Sequence, residues 1–162
     1  MTKITYYTGD IFQADAVAQG QGVNTHGVMG SGIALPMKKF WGEPMYQEYR
    51  WMCQRGLLVP GGVHRWDDEG WEGTGPRFLY NIASQDKPGP HGRLEWLDRG
   101  VRAALADMDT MGLDRMSLPR IGAGVAGLHW EDVQETLEAL VVDYDANIDL
   151  WSLPNADDTS KV

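Results

Sequence analysis

The sequence predicts an α/β sandwich, with helices on both faces of a largely parallel sheet. Three observations carry that expectation. Short segments rich in β-branched and aromatic residues alternate along the chain with segments of helical periodicity. No internal repeat, low-complexity run or long linker divides the 162 residues, a length suited to one core. Two of the strand-like segments run into glycine-rich stretches that lead towards helices.

The elements follow in order. Ile4 to Tyr7 alternates β-branched and aromatic side chains and reads as a first strand, ended by Gly9 and Asp10. Asp15 to Gln21 contains Ala-Val-Ala and reads as a second, buried strand, weakened by Gly20 and Gly22. Ser31 is placed to cap a helix over Gly32 to Phe40, with Pro36 costing it one early hydrogen bond. Pro44 suits the start of a helix reaching Arg55. Val63 to Trp66 and Phe78 to Ala83 are strands, separated by the exposed turn Asp67 to Gly70. Leu94, Leu97, Val101, Leu105 and Met108 recur at spacings of three and four, the clearest amphipathic helix. Arg115 to Pro119 is a strand, Trp130 to Tyr144 a helix and Ile148 to Leu153 the closing strand. Residues 1–155 are expected to form one domain, and residues 156–162 a polar, frayed tail.

Composition narrows the function. Hydrophobic residues make up 43% and charged residues 23%, a globular balance, and no apolar run approaches the roughly 18 residues of a membrane span. The start of the chain carries no signal-peptide pattern, and a single cysteine, Cys53, permits no internal disulfide; a cytoplasmic monomer is the expectation. The net charge of −9 argues against nonspecific nucleic-acid binding and against an anionic membrane as partner. The four histidines are scattered without zinc-site spacing, so no metal is expected, and no cofactor.

An anionic ligand would therefore have to be held by backbone N–H groups. Residues 22–32 hold four glycines, Gly22, Gly27, Gly30 and Gly32, before the first helix. A second stretch, Gly122-Ala123-Gly124-Val125-Ala126-Gly127, follows the Arg115–Pro119 strand. Taken alone it matches the G-x-G-x-x-G of nucleotide-binding Rossmann folds. Its place near the end of the chain leaves one βαβ unit and no substrate domain, so that reading fails on context. Two such loops entering helices from strand ends can converge on one diphosphate, stabilised by helix N-termini without lysine.

The stretches ITYYTGDIF, VNTHGVMGSGIA, LYNIASQDKPGP, LPRIGAGVAGLHWEDV and LWSLPN occur in the order found in the macrodomain family. The resemblance covers Ile4 to about Asn155 and is nearest to the branch of terminal ADP-ribose protein glycohydrolases and of antitoxins that remove ADP-ribose from DNA. It implies a three-layer α/β/α sandwich around a mixed, mainly parallel sheet, with an ADP-ribose cleft at the strand C-termini. Asp10 matches the acid that accepts from the adenine amino group, and Ile11 its neighbour whose backbone meets the ring; a turn-capping role competes for Asp10. Asn24 matches the asparagine facing the distal ribose, against an Asx turn. Gly30, Ser31, Gly32 and Ile33 match the first phosphate loop, and Gly122, Ala123, Gly124, Val125, Ala126 and Gly127 the second. Leu153 and Asn155 fall where the last strand meets the adenine. Lys38 and Lys39 read as a solvated helix face, and Trp41, Trp51, Trp96 and Trp130 as core or helix-end packing.

The branch's hydrolases carry a lysine after the YN strand and an acid in the second loop. Those positions are here Ser84 or Gln85 and Ala126, which supply neither nucleophile nor base. Lys87 stands further on, behind Asp86 and a Pro-Gly-Pro break. Asn24 with His26 are the remaining catalytic candidates, positioning a water; His129 reads as helix-start packing. The resemblance thus implies binding of ADP-ribose or an ADP-ribosylated macromolecule. It leaves two classes of activity: a hydrolase acting on an ADP-ribosyl linkage or ADP-ribose-1″-phosphate, and a non-catalytic reader.

Overall fold

The computed structural model describes residues 3–154. Six strands form one sheet: β1 (Ile4–Thr8), β2 (Ala18–Val23), β3 (Val63–Asp67), β4 (Phe78–Ala83), β5 (Arg115–Pro119) and β6 (Asn147–Ser152), in spatial order β1-β6-β5-β2-β4-β3. Every neighbouring pair is parallel except β3–β4. Four helices cover it: α1 (Ala34–Trp41), α2 (Glu43–Gln54), α3 (Leu94–Met111) and α4 (Trp130–Leu140). No helix among the described residues is long and apolar enough to cross a membrane.

The layers follow from strand alternation. On one face, Phe78, Tyr80 and Ile82 of β4 join Leu97, Val101 and Leu105 of α3 and Val133 and Leu137 of α4. On the other, Leu79 and Ala83 join Met37 of α1 and Met45 and Tyr49 of α2. β4 is buried along its whole length, which explains its nearly unbroken apolar run. The glycines of β2 are a packing device. A Cβ on Gly20 would lie 2.9 Å from both Leu118 Cδ1 and Met116 Sδ, so only glycine lets these side chains fill that face.

Several element boundaries differ from expectation. β2 starts at Ala18 because Ala14 still closes a 3-10 turn over Ile11–Gln13, and strand pairing begins where Ala18 meets Phe78 and Met116. α1 begins at Ala34, not Gly32, since Gly32 has φ +58°; Ser31 does not cap it, and Ile33 precedes it without a side-chain cap. The later start puts Pro36 in the first turn, where its missing N–H costs no intrahelical bond. α3 continues to Met111 and stops at Gly112, whose left-handed φ of +73° turns its N–H back to the Met108 and Asp109 carbonyls. α4 ends at Leu140 and tightens into a 3-10 turn over Val141–Asp143. β6 ends at Ser152, leaving Leu153 beyond it.

Candidate functional site

A cleft of about 960 Å³ opens at the C-terminal ends of β2, β4, β5 and β6. Parallel strands all deliver their following loops to this end, the usual place for a ligand in such sheets. The two glycine stretches meet there: Gly30, Ser31, Gly32 and Ile33 on one side, and Gly122 through Gly127 on the other. They approach closely, for a Cβ on Gly32 would lie 3.1 Å from Val125 Cγ2.

The glycines of the second loop divide by role. Gly122 has φ +78°, and its Cβ would strike Leu128 and Leu97 at 2.9 Å, so it is fixed by backbone and core. Gly127, at φ +82°, turns against Pro90. Gly124 has neither constraint: its φ lies outside the left-handed range and no atom stands within 4 Å of the missing Cβ. Packing does not require a glycine there.

The backbone supplies the polarity. The N–H groups of Gly30, Ser31, Gly32, Gly124, Val125 and Ala126 make no hydrogen bond among the described residues. Ala123, Gly127 and Leu128 instead donate to Arg120, Gly124 and Gly122, and so fix the loop. Among the described residues lining the cleft there is no carboxylate and no lysine; Arg120 and His129 are its ionisable groups. Arg120 is oriented by Nε donating to Ser152 Oγ at 2.9 Å and by its guanidinium 4.9 Å above the Trp130 ring. Within a chain of net charge −9, no negative side chain lines this wall among the described residues.

Asn24 lines the cleft but is 8% exposed, and its amide is committed. Nδ2 donates to the Val28 carbonyl at 2.9 Å, and Oδ1 accepts from His26 N–H at 3.0 Å and Val28 N–H at 3.4 Å. The buried Tyr49 hydroxyl donates to the Asn24 carbonyl at 2.7 Å. Burial pushes the Tyr49 phenol far above its ordinary range, so it stays a donor. Cys53, beside it, is also raised by burial, which keeps the thiol protonated at neutral pH. Asn24 therefore shapes the first loop through an Asx turn anchored on α2.

A buried polar chain runs beneath that loop. Gln21 Nε2 donates to Asn81 Oδ1 at 2.9 Å, and Asn81 Nδ2 lies 3.1 Å from His64 Nδ1. His64 Nε2 lies 2.7 Å from Glu48 Oε2 at the surface of α2. With Asn81 donating to Nδ1, the imidazole proton sits on Nε2 and points at Glu48.

The other anticipated residues fall as follows. Leu153 lines the cleft and is 68% exposed; Asn155 lies outside the described residues. Asp10 and Ile11 are not part of the cleft wall. Asp10 caps the 3-10 turn, its Oδ1 accepting from Phe12 N–H at 3.0 Å, and the buried Ile11 gives its carbonyl to Ala14 N–H and Gln19 Nε2. His26 is exposed and stands outside the wall. His129 corrects the packing expectation: it is exposed, immediately precedes α4 and lines the cleft. Its position directly after the second loop was the signal available in sequence. Trp51 also departs from the packing expectation, being 47% exposed with Arg55 over its ring. Sequence reasoning passed over Met29, Pro88 and Gly89, apolar wall residues without a chemical signature. Ser84 and Gln85 both line the cleft, and Gln85 Nε2 ties down the Lys87 and Gly89 carbonyls at 2.7 and 3.3 Å.

A mixed, mainly parallel sheet, two facing glycine loops and a cleft rich in unbonded amides define a macrodomain-type α/β protein. The Macro domain family model matches residues 21–137, and the chain belongs to that family. The DNA ADP-ribosyl glycohydrolase of Mycobacterium tuberculosis is 32% identical over 134 residues, covering 83% of this chain and 37% of that protein. The chain thus spans little more than a third of the length of this relative. Among solved structures, the macrodomain of Mycobacterium tuberculosis DarG superimposes with a TM-score of 0.83 at 28% identity, over 93% of this chain and 98% of that one. Thermosipho africanus DarTG in complex with ADP-ribose gives a TM-score of 0.82 at 19% identity, over 94% and 42%, and shares the fold.

Proposed function

We propose that the cleft binds ADP-ribose through its diphosphate and that the protein hydrolyses an ADP-ribosyl linkage. The observation that carries the binding is the set of backbone N–H groups at Gly30, Ser31, Gly32, Gly124, Val125 and Ala126 that have no partner among the described residues. Donors from two loops facing one cleft, with no carboxylate lining it among the described residues, suit two linked phosphates. In this reading adenosine lies towards Leu153 and the distal ribose towards Asn24 and Gln85, all of which line the cleft.

The activity of the Mycobacterium tuberculosis relative supports hydrolysis. The chemistry would differ from attack by an amine, because Ser84 and Gln85 offer none and Ala126 offers no base. In this reading, Asn24 holds the loop that presents the distal ribose; a water adds to its anomeric carbon as the bond from that carbon to the modified group breaks, and the departing group takes up the proton the water gives up. His129 is the titratable side chain placed on the wall to exchange a proton, in preference to the outlying His26. A second reading, a non-catalytic reader of ADP-ribosyl groups, is favoured by the lack of lysine and carboxylate among the described residues of the wall.

One experiment separates the two. The protein is incubated with ADP-ribosylated DNA, ADP-ribosylated protein and ADP-ribose-1″-phosphate, free ADP-ribose is followed, and calorimetry is run on ADP-ribose. Release with turnover supports the hydrolase. Saturable binding without release selects the reader. Absence of binding at millimolar ADP-ribose removes both.

A further inference from the structure

A second cavity, of about 530 Å³, lies at the other end of the sheet, between the chain entering β2 and the β3–β4 loop. The register Ala18↔Phe78 and Asp67↔Phe78 places it at the N-terminal ends of β2 and β4. Six residues of strand, roughly 20 Å, separate it from the glycine loops.

Its walls are aromatic and held in place. Phe12 and Phe40 have ring centroids 5.1 Å apart, and Phe40 meets Trp41 edge-on at 5.7 Å. Trp41 is tethered by Nε1 donating to the buried Gln19 Oε1 at 2.9 Å, and Trp71 by Nε1 donating to the Thr74 and Gly75 carbonyls. Phe40 is nonetheless 47% exposed, a large apolar ring at a helix end with half its surface in water. The charged side chains that line the cavity are all acidic. Asp15, Asp68 and Glu72 line the cavity, none has an ion-pair partner among the described residues, and no lysine or arginine lines it. The neighbouring Arg77 is paired with Asp67 at 3.0 Å and already lies 5.8 Å over the Trp71 ring, which leaves Phe40, with half its surface exposed, as the face open to a further guanidinium.

Aromatic faces carry negative potential, and carboxylates beside them add to it. A planar guanidinium satisfies both, stacking on a ring while donating to an acid. We propose that this cavity docks an arginine side chain presented by a partner polypeptide. The volume exceeds what one side chain fills, and the exposed half of Phe40 offers an apolar contact to a residue flanking the arginine. The net charge of −9 favours encounter with a basic partner. Because the site lies at the sheet end away from the cleft, a docked partner leaves the cleft open.

The test uses the full chain, with the indole N–H signals of Trp41 and Trp71 followed by NMR. Three probes are titrated: a blocked Gly-Leu-Arg-Leu-Gly peptide, the same peptide with citrulline for arginine, and agmatine. The expected result is a saturable shift of both indoles by the arginine peptide, with affinity weakened about tenfold by citrulline. Phe40→Ser and the double variant Asp15→Asn with Glu72→Gln should each weaken it about tenfold, with the melting temperature and ADP-ribose affinity unchanged. Equal binding of the citrulline peptide, insensitivity to these substitutions, or no saturation by about 10 mM would overturn the proposal. Agmatine binding as tightly as the peptide would overturn the polypeptide partner in favour of a small guanidinium ligand.

Discussion

Gly124→Val isolates the phosphate cradle from the fold. At this position an added Cβ meets no atom within 4 Å, and the backbone lies outside the left-handed region, so the substitution strains neither packing nor torsion. Stability should change by no more than about 0.5 kcal/mol, as for an ordinary surface substitution. The branched side chain must instead project beside the free N–H groups of Gly124, Val125 and Ala126, in the space a diphosphate would occupy. Losing one hydrogen bond to a charged phosphate costs about 1.5–3 kcal/mol, so the Kd for ADP-ribose should rise between roughly tenfold and a hundredfold. Calorimetry and thermal melting on one preparation give both quantities. Gly122→Val is the counterpart: with φ +78° and two leucine methyls 2.9 Å away, it should lower the melting temperature sharply. An unchanged Kd in a well-folded Gly124→Val protein would refute the cradle.

Asp10→Ala should weaken ADP-ribose binding by about 1.5–3 kcal/mol if the carboxylate also serves the adenine amino group. Loss of stability alone, from the Phe12 N–H cap, would reduce it to a turn residue. Asn81→Leu strands His64 Nδ1 and Gln21 Nε2 in the core and should destabilise by at least about 2 kcal/mol, read from urea unfolding. Tyr49 has its folded pKa raised by burial above the unfolded value of about 10. Its stabilising contribution is therefore complete below about pH 10 and is lost as pH rises beyond it. Tyr49→Phe should give a shallower alkaline loss of stability, measured by unfolding between about pH 9 and 11.

Alternation of periodicities made the sandwich legible, because β4 and α3 bury faces whose spacing is written in Phe78–Ala83 and Leu94–Met108. The glycine loops were legible for the same local reason, since strand, glycines and helix follow one another in the chain. Side-chain roles were less so. The Asn24 amide could serve a ligand or its own loop, and the choice depends on Tyr49 and Val28, one of them 25 residues away. His129 looked like packing because Trp130 follows it, yet both line the cleft and Trp130 also packs against the core. The chain Gln21–Asn81–His64–Glu48 draws on two strands, an edge strand and a helix, so no local pattern announces it.

The anchoring of Asn24 on Tyr49 sets how the first loop can move. Tyr49 is wholly buried, and its hydroxyl reaches both the carbonyl and the side-chain oxygen of Asn24. Tyr46 adds a second tether, its hydroxyl donating to the Gly27 carbonyl at 3.2 Å. Lifting the loop away breaks these bonds and leaves two buried hydroxyls without those partners, a cost that ties its opening to the loosening of α2. In hydrogen exchange, the amides of His26 and Val28 should therefore share the protection of α2 and open with it as one cooperative unit. A loop with three glycines, Gly27, Gly30 and Gly32, is thereby given the stiffness of an interior segment.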